Sequence, residues 1–463
     1  MSREVTRSAH RIAAALIVSG GLFGHSTHAA ETPAEPSREE LQQQIEALKQ
    51  RVQSLEGADR PTTAPAPASA PTPSAAIDEV LGDADRRSRP VFAAAGGALT
   101  AGYDKGFFIK SDDGNFLLKP AINVQFRHVS NFEEDGRQDG NDDSFQSGFE
   151  VRRARFRFDG NAFSPKFTYS FVWDTARAGG TVSLLDAWGQ YAFADKWAIK
   201  VGQFKESVFH ERDVSGFAQL AVDRSLNDAL LGGTLTDRVQ GVSLIHGGGK
   251  DDAARFEFAF HDGANSRNTD FRDGATNWGS GLRGEFKFVG DWANYKDFTA
   301  KTSKENLFVL GAGAEYTDRD GADVLLATAD AQYEVADRFS VYGALHGAYA
   351  DPHSGTGDPT RFDWGALAQV GYLLNSKWEV FGRYDVVLLD DEALEDGDED
   401  TFHEVTAGVN YYLGPDGSHL HRAKLTADVT YLPNGAPSDQ TQSGVLAGEG
   451  DQFIVRAQFQ LQL

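Results

Sequence analysis

Arg153, Arg155 and Arg157 stand two residues apart in the run Arg152-Arg153-Ala154-Arg155-Phe156-Arg157-Phe158. On an extended strand alternate side chains share a face, so the three form a file of guanidinium groups about 6.6 Å apart. Such a file repels itself and needs anionic company. Permeating oxyanions would supply it, since the planar fork of arginine binds two oxygens at once; acidic side chains elsewhere in the chain would supply it equally well. The interleaved Ala154, Phe156 and Phe158 point the other way, into an apolar medium, and Arg152 falls on that face, where it is expected to snorkel to water. Strand phase puts Arg127, Lys166 and Lys200 on the wet side with the file. A long segment that reads as neither strand nor disorder, 205–237, carries Lys205, Arg212 and Arg224 beside Glu211, Asp213, Asp223 and Asp228, and Arg238 follows it. The expected pore-lining or anion-binding set is therefore Arg127, Arg153, Arg155, Arg157, Lys166, Lys200, Lys205, Arg212, Arg224 and Arg238.

The elements that must hold these residues follow from the same alternation. In 453–463, Phe453, Val455, Ala457, Phe459, Leu461 and Leu463 are apolar, while Arg456, Gln458, Gln460 and Gln462 between them are polar. The pattern recurs about sixteen times from residue 116 onward, which is the signature of a transmembrane β-barrel. The expected fold is all-β, a closed antiparallel barrel over 99–463 with 205–237 folded in as a constriction. Residues 103–110 read as a lead-in strand. Short links such as 161–164 alternate with long ones such as 130–147, 351–361, 390–401 and 433–450, so the two rims differ. On these phases inward bases outnumber inward acids, although the chain carries a net charge of −24. The excess acid lies in the long links, in runs such as Asp142-Asp143, which are solvated faces with room for divalent cations.

Ahead of the barrel, Arg3, Arg7 and Arg11 precede the apolar stretch 12–23, and a small-residue cleavage site at 27–29 completes a secretory signal over 1–29. Residues 37–57 form a short heptad helix, with Leu41, Ile45, Leu48, Val52 and Leu55 on one seam; a modest amphipathic helix and an oligomerisation stalk both fit it. A Pro/Ala/Thr-rich linker spans 58–98. The chain has no cysteine, and strong acidity excludes nucleic acid as a partner.

Several stretches resemble the phosphate-selective porin O/P family: Gly102-Tyr103-Asp104-Lys105-Gly106-Phe107-Phe108-Ile109, Gly114-Asn115-Phe116-Leu117-Leu118-Lys119, the Arg-Arg-Ala-Arg strand, Val201-Gly202-Gln203-Phe204-Lys205-Glu206, Val222-Asp223-Arg224-Ser225-Leu226 and Asp237-Arg238-Val239-Gln240-Gly241-Val242. Ser207 stands where the family often has Pro, and Leu463 where Phe is usual. The resemblance implies a homotrimeric, sixteen-stranded outer-membrane channel whose third loop narrows the lumen and whose basic side chains pass small anions. Phosphate or a related oxyanion is the expected solute. A general or carbohydrate-selective porin, with Trp188 and Tyr191 as stacking surfaces, and a structural tether to the periplasm are the alternatives. No cofactor or metal is expected, and no enzyme: His246-Gly247-Gly248-Gly249-Lys250 looks like a phosphate loop but has no helix after it.

Overall fold

The computed structural model describes residues 92–94 and 97–463, apart from 135–144, 178, 234, 273–275, 302, 320, 354–358, 395–398, 441 and 449. The signal at 1–29, the helix at 37–57 and most of the 58–98 linker lie outside the described residues. The linker's far end is strand: β1 (Phe92–Ala94) pairs with β2 (Gly97–Tyr103), which pairs with β3 (Phe107–Ser111). The lead-in strand expected at 103–110 is thus two short strands with a turn at 104–106.

The barrel itself has sixteen strands. In chain order they are β4 (Leu117–Glu133), β5 (Phe145–Ala162), β6 (Ser164–Thr175), β7 (Val182–Ala194), β8 (Trp197–Lys205), β9 (Arg238–Gly247), β10 (Ala254–His261) and β11 (Thr276–Val289). The remainder are β12 (Leu307–Arg319), β13 (Ala322–Val335), β14 (Phe339–Pro352), β15 (Arg361–Leu373), β16 (Trp378–Leu388), β17 (Thr401–Tyr412), β18 (Ala423–Leu432) and β19 (Gln452–Gln462). Each pairs antiparallel with its sequence neighbour, and β19 closes the ring on β4 from Gln452 opposite Glu133 to Gln462 opposite Asn123. Closure leaves no sheet edge, which is what allows strands to cross lipid with every backbone group paired. Among the described residues no helix is long and apolar enough to cross a membrane.

Alternation decides which face each residue takes. On β18 Leu425, Ala427, Val429 and Tyr431 are exposed on the outside, while Lys424, Thr426, Asp428 and Thr430 are buried within. Trp278, Tyr349, Trp364, Tyr372, Trp378 and Tyr431 stand on the outer face, as interfacial girdles require. Tyr191 is out there too, so it offers the lumen no stacking surface; Trp188 faces inward and packs on Phe204 and Val239.

The interior is filled from several directions. The 206–237 loop crosses to the far wall in three apolar contacts. Val214 and Leu220 pack with Phe298, Tyr342, Leu367 and Phe381. Phe209 and Leu231 pack with Val324, Leu326 and Val387, and Leu226 packs with Phe402, Leu432, Val445 and Ile454. Burying such side chains contributes about 1.5–3 kcal/mol each, enough to hold a loop in place without regular structure. One long excursion was expected, yet among the described residues further links turn inward, two of them with large apolar side chains. The 290–306 link enters from the opposite rim, where Tyr295 stacks on His210 at 3.8 Å, and the 433–451 link brings Val445 and Leu446 inside. Their apolar residues are the reason: Trp292, Tyr295 and Phe298 in one, Ala436, Val445 and Leu446 in the other, all buried.

Candidate functional site

Asp223, near the middle of the 206–237 loop, is the hub of the basic cluster. Its carboxylate accepts from Arg127 Nη1, from Arg152 Nε at 3.2 Å and Nη2 at 3.0 Å, and from Arg153 Nη2 at 3.0 Å. Its backbone carbonyl accepts from Arg383 Nη1 at 3.0 Å. Three guanidinium groups hold the Asp223 carboxyl well below the usual carboxylate range, against the upward push of burial. The neighbouring amide of Val222 donates to Asp428 at 2.8 Å, and Asp428 pairs with Arg456 at 2.7 Å. The loop is therefore tied by charge to both seams of the closing strands.

Arg152 corrects the sequence reading. It does not lie on the lipid face: a β-bulge opposite the Gln125–Phe126 step leaves Gln125 paired with Arg153 and Phe126 with Val151, so Arg152 is the extra residue and turns inward beside Arg153. The parity of the apolar positions carried that signal, since Phe149 and Val151 are odd while Ala154, Phe156 and Phe158 are even. Only a bulge permits such a switch within one strand.

Below the bulge the file descends as expected and loosens toward the rim. The side chain of Arg153 is 5% exposed, that of Arg155 19% and that of Arg157 47%. Arg153 also donates to Gln125 at 2.6 Å and lies against Gly216, where a Cβ would sit 3.0 Å from its Cζ. Arg155 pairs with Asp174 at 3.0 Å and lies over the ring of Phe217, while Arg157 pairs with its own strand neighbour Asp159. The first is a fixed strut and the last a half-exposed charge.

Arg212 and Arg224 approach from the loop. Arg212 bonds Asp228 at 2.5 Å, and Arg224 donates to the carbonyls of Glu211 at 2.9 Å and Val214 at 2.6 Å. Burial and the adjacent Arg212 lower the Arg224 guanidinium to about 10. Arg152, Arg153, Arg212 and Arg224 together line a cavity of about 90 Å³, shared with Asp223, Asp228, Gln440, Gln442 and Ser443. Its volume equals that of about three waters in the liquid, a space that one tetrahedral oxyanion would fill. Four forked donors against two carboxylates leave it positive.

The other expected residues do not line this cavity. Arg127 anchors its wall, donating to Glu150 at 2.5 Å and to the Gln442 carbonyl at 2.7 Å. Lys200 pairs with Glu257 at 2.7 Å, Lys205 donates to the Asp213 carbonyl at 3.0 Å, and Arg238 bridges Asp186 at 3.2 Å and Asp237 at 2.8 Å. Lys166 is exposed near the start of β6 and joins none of them. Sequence reasoning omitted Arg152 and the acceptors Gln442 and Ser443. It also omitted the inward acids Glu133, Glu150, Asp363 and Glu379, which reduce the expected basic excess of the wall. Among the described residues the lumen is a paired charge network that includes a basic pocket, not a uniformly basic tube.

Residues 122–349 match the family model described as phosphate-selective porin O and P. No match was found among curated protein sequences. Among solved structures the chain is similar to Salmonella typhi OmpF in complex with daunomycin, at 18% identity and a TM-score of 0.53 over 78% of this chain and 100% of that one. It is similar to the anion-selective porin from Comamonas acidovorans at 12% identity and a TM-score of 0.52, over 75% and 100%. Pseudomonas putida OprB matches at 8% identity and 0.51, over 76% and 95%. At these identities the likeness is one of fold.

Proposed function

This chain belongs to the phosphate-selective porin O and P family of outer-membrane β-barrel porins, and from that premise we infer that its lumen conducts small anions, phosphate or a related oxyanion foremost. The observation that carries the inference is the graded file Arg153, Arg155, Arg157 leading to the pocket of Arg152, Arg153, Arg212 and Arg224. A low-dielectric wall around such a file focuses its field, raises the local anion concentration and speeds entry. Fixed pairing inside the pocket and looser pairing below it suit a solute that must bind and then leave. The barrel works as a channel, with no chemical step assigned to any residue. Outer-membrane lipid surrounds it, and a homotrimer is the assembly we propose.

One observation favours a second reading, a general porin in which the arginines are structural: Arg127, Arg152 and Arg153 already share the carboxylate of Asp223. The two readings separate in a planar bilayer. Reversal potential under a salt gradient should show anion selectivity, and added phosphate should block the chloride current, more weakly in Arg155→Ala. Cation selectivity, or no effect of phosphate, leaves the general porin.

A further inference from the structure

We propose that Glu206 and Glu315 hold one proton between them beside His261, and that its loss releases the root of the constriction loop, which makes the channel's gate sensitive to pH. Glu206 is the first residue after β8, Glu315 faces inward on β12, and His261 ends β10. The strand between, β11, presents Gly279 opposite His261 and Gly281 opposite Glu315. These glycines open a notch in the wall. A Cβ at Gly281 would lie 2.0 Å from Glu206 Oε1, and one at Gly279 would lie 2.5 Å from His261 Cε1.

The three side chains in the notch are buried, and their bonding is incomplete. The Gly263 amide donates to His261 Nδ1 at 3.1 Å, so the neutral ring carries its proton on Nε2. That N–H faces Glu206 Oε2 at 3.9 Å and Glu315 Oε1 at 3.8 Å, too far to bond either. Among the described residues His261 Nε2, Glu206 Oε2 and Glu315 Oε2 have no hydrogen-bond partner. Two carboxylates in one buried notch do not both stay ionised; one takes a proton. Burial first, then Glu315 and Glu257, push the Glu206 carboxyl well above its usual range.

The surrounding charges make their hydrogen bonds to other groups, with Arg319 Nε left without a partner among the described residues. Glu257 is held by Lys200 at 2.7 Å, Arg255 at 2.6 Å and Ser207 at 3.2 Å. Arg319 donates to the Leu235 carbonyl at 3.0 Å, the Asp213 carbonyl takes Lys205, and Asp237 takes Arg238 at 2.8 Å. When that proton leaves its carboxyl O–H for lumen water, two anions are left in the notch. Glu315 is fixed on the wall, so Glu206 leaves. Its backbone N–H bonds the Asp237 carbonyl at 2.9 Å, so the movement reaches both ends of the loop.

The test is single-channel recording of the purified full-length protein from about pH 5 to about pH 9, a span that brackets ordinary and buried carboxyls. The natural channel is expected to pass from a quiet open level to rapid flicker as pH rises. Glu206→Gln and Glu315→Gln, isosteric with the protonated acid, should each lose that dependence and stay quiet. Asp323→Asn, at the β13 rim, should keep it. Conduction in each variant reports a folded barrel, and flicker is read independently of ion selectivity. A natural channel with no pH dependence in this range, or a Glu206→Gln channel that still flickers at high pH, overturns the proposal.

Discussion

Replacing Asp223 by Asn removes one negative charge from the wall of the arginine pocket while keeping the side chain's size. An anion in the 90 Å³ cavity would sit about 5 Å from that carboxylate, where unit-charge repulsion is about 3 kcal/mol at an effective dielectric constant of 20 and about 0.8 kcal/mol in bulk water. A narrow wet lumen lies between those limits, so relief of about 1–3 kcal/mol is expected. That corresponds to roughly 5- to 150-fold tighter binding, at 1.4 kcal/mol per decade. The assay is block of chloride current by phosphate in a planar bilayer, and the half-blocking concentration should fall at least about fivefold. Stability should move the other way, because orphaning a buried partner costs about 3–5 kcal/mol and three guanidinium groups lose theirs here. The Asp223 carboxyl is held low in the fold, so its contribution is present above about pH 3.9 and lost only as pH falls through the lower folded value. A half-blocking concentration that stays the same or rises, in a variant that still conducts, would refute the electrostatic account of the pocket.

Other changes have equally definite outcomes. Glu206→Gln should melt above the natural protein at about pH 8 and level with it at about pH 4. A folded carboxyl raised above its unfolded value of about 4.3 loses stability as pH rises through the folded value, and equal melting at both pH values would contradict this. Gly281→Ala puts a methyl into the Glu206 carboxylate; about 1–3 kcal/mol of destabilisation by thermal melting and flicker at every pH are expected. Deleting 436–448 takes away the carbonyls that accept from Arg127, Arg456 and Asn131, so single-channel conductance should rise and the melting temperature fall. Unchanged conductance would mean that this link does not narrow the path.

The barrel was legible because each strand repeats one simple alternation, and lipid enforces it at every outward position. Leu425, Ala427, Val429 and Tyr431 could be assigned a face with no knowledge of neighbouring strands. The pocket was less legible because it is built from exceptions. Arg152 reaches it only through a bulge, and a bulge shows in sequence as a change of parity that alternation alone passes over. Asp223 stood among the loop acids, but its choice of three arginines over any others depends on where the loop crosses the lumen. The inward fold of 290–306 was signalled by Trp292, Tyr295 and Phe298, yet their target, His210 and the far wall, comes from elsewhere in the chain.

The ladder between β4 and β19 also sets an order of events in assembly. These strands are the first and last of the ring, and Leu463 exchanges two backbone hydrogen bonds with Ile122. The arginines around Asp223 come from β4 and β5, their acceptors from the loop and from the link just ahead of β19. Until β19 pairs with β4, these arginines have Asp223 but neither the acceptors of the 433–451 link nor a closed wall. Incompletely paired guanidinium groups are tolerated in water and costly in lipid. Closure of β19 on β4 is therefore the step that completes both the wall and the arginine shell.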